Sequence, residues 1–155
     1  MRIGVISDTH GLFDESITGI FDGVDAIIHA GDIGKLHVIE RLEAIAPVFA
    51  VRGNNDPSMT LPDQRLEELA GRRVLIRHIF GELHQLKTRD KKIVAELRPD
   101  IIVFGHSHRP YQHVLDKTIL FNPGSAGPRR FSGRRGLGFC EELVHDLGAG
   151  GDDGA

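Results

Sequence analysis

The sequence predicts an α/β fold in which two mixed β-sheets pack together with helices outside. Three observations predict it. Apolar strand-like runs alternate with amphipathic helical spacing over the first 51 residues, giving βαβαβ. A turn at Ala70-Gly71 then joins two runs into a hairpin. Beyond Pro99 an apolar strand is followed by meandering strands. Parallel units followed by antiparallel strands are the pattern of two sheets in contact, flanked by helices.

Taken in order, Arg2 to Ser7 is a short buried strand that ends in the polar run Asp8-Thr9-His10-Gly11. Ile17, Ile20 and Phe21 fall at helical spacing within 14–21. Asp25 to His29 is the second strand and runs into Ala30-Gly31-Asp32. Leu36, Ile39, Leu42 and Ile45 mark a helix closed by Pro47. Val48 to Val51 is the third strand and leads to Arg52-Gly53-Asn54-Asn55-Asp56. The hairpin strands are 65–69 and 72–77, the second delivering His78. A helix over 86–97 stops before Pro99. Ile101 to Phe104 is wholly apolar, as burial on both faces requires, and delivers Gly105-His106-Ser107-His108. Strands near 111–115 and 118–122 flank a turn at Asp116-Lys117, and a last strand is expected over 136–144.

The 155 residues suit a single domain over 1–147, with a Gly- and Asp-rich tail at 148–155 expected to be disordered. The single cysteine, Cys140, excludes an internal disulfide framework and a Cys-rich zinc site. No apolar run approaches the ~18 residues of a membrane span, and Asp8 and His10 fall where a signal peptide would need its apolar core. A cytoplasmic location is therefore expected. The net charge of −3 argues against a nucleic-acid partner.

Five strands end in polar clusters whose leading residues are Asp8, Asp32, Asn54, His78 and His106, at gaps of 24, 22, 24 and 28 residues. Each gap is about one strand–helix–strand or hairpin unit, so the five ends converge on one sheet edge, where α/β folds place their ligands. Asp-x-His at 8 and 10 and His-x-His at 106 and 108 let both members of each pair reach one ion if the loop bends. Carboxylates, imidazoles and an amide without thiolates suit Mn, Fe, Co, Ni or Zn. Four histidines exclude a calcium site. Seven donors, Asp8, His10, Asp32, Asn54, His78, His106 and His108, exceed one such ion and suit two sharing a carboxylate.

As an ordered set, Asp8-Thr9-His10, Gly31-Asp32, Gly53-Asn54-Asn55-Asp56, His78 and Gly105-His106-Ser107-His108 resemble the motifs of the calcineurin-like metallophosphoesterase superfamily. Asn122-Pro123-Gly124-Ser125 is similar to a segment of its small bacterial and archaeal phosphodiesterases. The resemblance spans residues 2 to about 145. It implies a four-layer αββα sandwich and two divalent ions, manganese foremost, with Ni, Fe, Co or Zn as alternatives. Asp8, His10, Asp32 and His108 would hold one ion. Asp32, Asn54, His78 and His106 would hold the other, with Asp32 bridging. It further implies a phosphate-ester small molecule as substrate, a diester before a monoester, hydrolysed by in-line attack of a metal-bridging hydroxide.

The pattern departs from the family at two points. Asn55 stands where many members have a histidine that protonates the leaving group, so Asp32, Asn54 and Asp56 are the expected catalytic residues, Asp56 as a source of that proton. The segment Arg77-His78-Ile79-Phe80-Gly81 replaces His-Gly, which leaves His84 as a competitor to His78. His29 is either a partner of the ligands or a buried histidine satisfied by backbone. Arg129, Arg130, Arg134 and Arg135 could grip phosphate or form a solvated loop. Two alternative functions remain: a non-catalytic protein-interaction scaffold of the same fold, and a nuclease. The edge strands near 111–122 could pair two copies into a homo-oligomer.

Overall fold

The structure is a computed structural model that describes residues 1–129 and 135–140. Three parallel strands, β1 (Ile3–Ile6), β2 (Ala26–His29) and β3 (Val48–Ala50), begin it. Two helices, α1 (Ser16–Ile20) and α2 (Leu36–Glu43), connect them. The hairpin is β4 (Gln64–Leu69) and β5 (Arg72–Arg77). A 3-10 turn at Leu83–Gln85 precedes α3 (Thr88–Leu97). Then come β6 (Ile101–Val103), β7 (Pro110–Leu115), β8 (Thr118–Pro123) and the two-residue β9 (Gly138–Phe139).

The strands form one four-stranded sheet, β3-β2-β1-β9, and one five-stranded sheet, β4-β5-β6-β8-β7. Both are mixed. β9 runs antiparallel to β1, and β4 and β7 are antiparallel edges of the second sheet.

Alternation along the strands sorts the apolar residues into three layers. Ile3, Val5, Ile28, Val74, Ile76, Ile101, Val103 and Ile119 fill the space between the sheets. The opposite face of the first sheet, including Ile6 and Ile27, packs on Ile17, Phe21, Val38 and Leu42 of the α1–α2 side. The opposite face of the second, Leu75, Ile102 and Leu120, packs on Ile93, Val94 and Leu97 of α3. Ile101 to Val103 is apolar throughout because one face meets the other sheet and the next meets a helix. The order is helix, sheet, sheet, helix, as the resemblance implies.

Three expectations shift. The first helix starts at Ser16, because Asp14 Oδ1 accepts from Ser16 N (2.9 Å) and Ser16 Oγ (2.6 Å), holding that turn out of the helix. The third starts at Thr88, where Asp90 Oδ2 accepts the Lys87 amide at 3.2 Å. Of the last strand's expected range, the described residues 136–140 hold a strand at Gly138–Phe139; 141–144, and the tail at 148–155, lie outside the described residues. Among those residues no helix is long and apolar enough to cross a membrane.

Candidate metal centre

Strand ends from both sheets meet at one edge. Asp8 follows β1, Asp32 follows β2 and Asn54 follows β3, all from the first sheet. His78 follows β5, and His106 and His108 follow β6, from the second.

Each donor must leave its strand abruptly to face its neighbours, and the backbone shows how. Eight non-glycine residues among those described have left-handed φ, and five are Asp8 (+54°), His10 (+47°), Asp32 (+53°), His106 (+68°) and His108 (+59°). Such conformations cost of order 1–3 kcal/mol each and persist where the surroundings over-determine them. The glycines in the motifs serve the same crowding. A Cβ on Gly53 would overlap Asp32, and one on Gly105 would overlap Ser7 Oγ and Asp8 Oδ2.

Asp8 and Asp32 are buried at 0% and 2% exposure, which is costly for two neighbouring carboxylates without compensation. Asp8 Oδ2 is satisfied by Ser7 Oγ at 2.7 Å and the His106 amide at 3.1 Å. Asp8 Oδ1 is left without a hydrogen-bond partner. His108 Nε2 stands 3.1 Å from it, yet outside hydrogen-bond alignment. His78 Nδ1 lies 2.7 Å from the Ala30 carbonyl, so that nitrogen carries the proton and Nε2 presents a lone pair. That lone pair faces Asp8 Oδ1 at 3.9 Å and Asp32 Oδ2 at 3.4 Å, and Nε2 has no aligned partner. His10 Nε2 lies 3.2 Å from His108 Nε2 and 3.9 Å from both Asp8 Oδ1 and Asp32 Oδ2.

Buried lone pairs without partners, brought close together, suit a cation. Two such groups of donors exist among the described residues: Asp8, His10 and His108, and Asp8, Asp32 and His78. The donor set thus fits divalent metal, which the chain's own hydrogen bonds do not replace. Asn54 and His106 stand beside these groups, Asn54 Oδ1 lying 3.1 Å from His106 Nδ1 and the His106 ring packing edge-on to His78. His84 is exposed on the 3-10 turn, 3.9 Å from Glu82, and is not in the site.

Two residues take other roles than the sequence suggests. Asp56 is a correction: its Oδ2 accepts the Ile33 and Gly53 amides and its Oδ1 the Gly34 amide, each at 2.9 Å. Both oxygens are committed to tying the loop after β2 to the loop after β3, which leaves Asp56 without a place as leaving-group acid. Asn55 donates to Asp32 through its amide nitrogens, from the backbone to Oδ1 at 2.9 Å and from Nδ2 to Oδ2 at 2.7 Å. It orients the carboxylate.

His29 combines the two options open to it. Fully buried, its Nδ1 accepts the Gly31 amide at 3.1 Å, so Nε2 carries the proton and donates to Thr9 Oγ1 at 3.0 Å. Thr9 in turn donates to the Ile33 carbonyl at 3.0 Å. The chain joins the loops that carry Asp8, His10 and Asp32. Burial pushes His29 down to about 3, keeping it neutral.

Sequence reasoning missed Ser7, Asn122 and Ser125 as positioning groups. Asn122 Nδ2 donates to the Gly105 carbonyl (2.9 Å) and Ser107 Oγ (3.1 Å). Ser125 Oγ donates to the Asp8 carbonyl at 3.0 Å. Asn122-Pro123-Gly124-Ser125 was the available signal, a polar run at a strand end. Of the arginine cluster, Arg135 pairs with Asp14 at 2.6 Å and donates to the Ala126 carbonyl, so it braces a loop; Arg130 and Arg134 lie outside the described residues.

Charge balance sets a pH dependence. Burial works to lower the proton affinity of His78, but the Asp32 carboxylate 3.4 Å from its Nε2 and the Asp8 charge raise it above the usual 6.5. Burial works to raise Asp32, but His78 and the Asn55 donors hold its carboxyl well below the usual range. A raised histidine gives the metal-free fold stability that is present below about pH 6.5 and lost as pH rises through its folded value. Metal needs the neutral imidazole, so it competes with that proton. The melting-temperature gain on adding metal is expected to be small near about pH 6 and large near about pH 8. A gain independent of pH in differential scanning calorimetry would remove His78 from the ligand set.

A four-layer sandwich with acids and histidines at the strand ends of both sheets defines the class: a metallophosphoesterase fold. Residues 1–142 match the calcineurin-like phosphoesterase superfamily domain, and the chain belongs to that family. A probable metallophosphoesterase of Methanothermobacter thermautotrophicus is 37% identical over 136 residues, which are 81% of this chain and 77% of that one. A solved structure described as a novel archaeal phosphodiesterase has TM-score 0.69 at 25% identity and covers 90% of this chain and 92% of its own. Vps29 of Chaetomium thermophilum shares the fold, with TM-score 0.75 at 19% identity over 90% and 80% of the two chains.

Proposed function

We propose that the chain is a dinuclear metal-dependent phosphodiesterase. The observation that carries this reading is the convergence of Asp8 Oδ1 and His78 Nε2, both buried and unpartnered, beside Asp32. Asp8, His10, Asp32 and His108 would hold one ion and Asp32, Asn54, His78 and His106 the other. Bound divalent ions supply Lewis acidity to a phosphoryl oxygen and bring the pKa of a coordinated water near neutrality.

The chain's own groups do the rest. Asp8 and Asp32 repel an anionic ester until metal offsets them, so substrate follows metal. Asp8, Asp32 and His78 are buried, whereas His106 is exposed and His10 and His108 are partly so, which puts the mouth of the site on the histidine side. Ser7, Asn55, Asn122 and Ser125 fix the ligand-bearing turns. Neither residue after Asn54 is placed to protonate the leaving group, since Asn55 faces Asp32 and Asp56 is occupied by three amides. Esters with acidic leaving groups are therefore favoured.

The test is to strip the protein, restore single metals and assay bis(4-nitrophenyl) phosphate beside an aryl and an alkyl monoester. Two metals per chain and faster turnover of the aryl diester are expected. An alkyl monoester turned over faster than the diester would overturn the diesterase reading. Full metal occupancy with hydrolysis of no ester would make the chain a scaffold of this fold.

A further inference from the structure

A cleft of about 280 Å³ shares Asn54 and His78 with the site so far described and extends away from it over residues that site does not use. Three arginines from separate elements line it. Arg52 lies just past β3, Arg77 ends β5 and Arg89 stands in the first turn of α3. Asp63 is the one carboxylate on its wall and the buried Asp90 also acts on Arg77, so three cations meet two anions and one positive charge is left over.

The three are not equally occupied. Arg52 Nε is matched by Asp63 Oδ1 at 2.6 Å. Arg77 donates to neutral acceptors, the Ile79 carbonyl at 3.2 Å and Gln64 Oε1 at 2.7 Å. Arg89 is exposed and makes no hydrogen bond or ion pair among the described residues. Burial first and the Arg89 charge second disfavour the Arg77 charge, against partial relief from Asp90 and Asp63. Arg89 also stands at a helix start, where the macrodipole opposes a cation. Local rules of this kind are broken chiefly where function compensates. A planar guanidinium fork is the side chain suited to carboxylate and phosphate.

The geometry points to a second-anion subsite: the cleft receives a carboxylate or phosphate carried a short arm away from the phosphoryl group that the metal centre takes. The substrate class is then a phosphate ester with one further anionic group on one arm. This rests on the phosphoesterase reading of the neighbouring site and narrows it.

Binding tests it apart from turnover. Methylenediphosphonate, which has two anions and a P–C–P link that resists hydrolysis, is compared with methylphosphonate by titration calorimetry on the metal-loaded full chain. The bisphosphonate is expected to bind at least about fivefold tighter. That gap should narrow in Arg89→Gln and close in Arg89→Glu, with methylphosphonate affinity unchanged. Phosphonoacetate shows which anion is preferred; either preference, if lost in the Arg89 variants, supports the subsite. A gap that both variants leave intact belongs to chelation by the metals and overturns the proposal, as does no gap in the wild type. Hydrolysis of bis(4-nitrophenyl) phosphate is followed in parallel. An Arg89-dependent gap without hydrolysis keeps the subsite and removes the diesterase reading; hydrolysis with an Arg89-insensitive gap does the reverse.

Discussion

Asp32→Ala is expected to reduce metal-dependent hydrolysis by about 10³-fold or more, because it deletes the donor proposed to be shared by both ions. The same change should lower the stability of the metal-free fold only modestly. It removes the carboxylate that His78 and the Asn55 donors hold in its ionised form, a loss confined to one partly compensated group. The signature is therefore a pair of measurements. Calorimetry without metal should show a melting temperature within a few degrees of wild type, and the increment on adding metal should vanish. Retained activity with a normal metal increment would show that Asp32 is not a ligand.

Gly53→Ala should be nearly as damaging from a position that ligates nothing. Its Cβ would fall on the Asp32 carboxylate and backbone amide, and a backbone amide cannot swing aside as a side-chain end can. Overpacking of this kind costs about 1–3 kcal/mol, which lowers the melting temperature by roughly 2–4 °C for each kcal/mol at this chain length. Displacement of the carboxylate by about an ångström should cost a further ~10²-fold in kcat/KM. Gly19→Ala is the control. Nothing lies within 4 Å of its added Cβ, and it sits in α1, so stability should hold or rise slightly. Equal activity of the two variants would show that the loop takes up the added Cβ without moving the Asp32 carboxylate.

Asp8, His10, Asp32, Asn54, His78, His106 and His108 were legible in the sequence because a polar residue ending an apolar run is visible without coordinates. Two packed sheets with helices outside followed from the order of strand-like and helical runs, and the four layers from the family resemblance. Ile101 to Val103, apolar throughout, already implied cover on both faces, and α3 and the first sheet supply it. What stayed hidden depends on direction and not on composition. Asp56 reads as an available carboxylate, yet three amides from two loops consume it. Asn55 reads as a lost acid, yet it grips Asp32. The glycines read as turn residues, but at Gly53 and Gly105 the absent Cβ makes room for a carboxylate from another strand. Arg52, Arg77 and Arg89 are spread over 37 positions and share no motif, so only the fold brings them to one cleft.

The division of the donors between two sheets has a consequence for biosynthesis. Asp8, His10, Asp32 and Asn54 emerge from the ribosome early, on the first sheet, whereas His106 and His108 follow more than fifty residues later on the second. Asn122 and Ser125, which brace the turns of both, come later still. A domain that folds as a unit therefore has no complete site to offer while its chain is being made. If these donors hold metal as proposed, the finished cavity would choose it through donor number and spacing, and not a growing chain whose loose imidazoles and carboxylates would take whichever metal ranks highest in raw affinity.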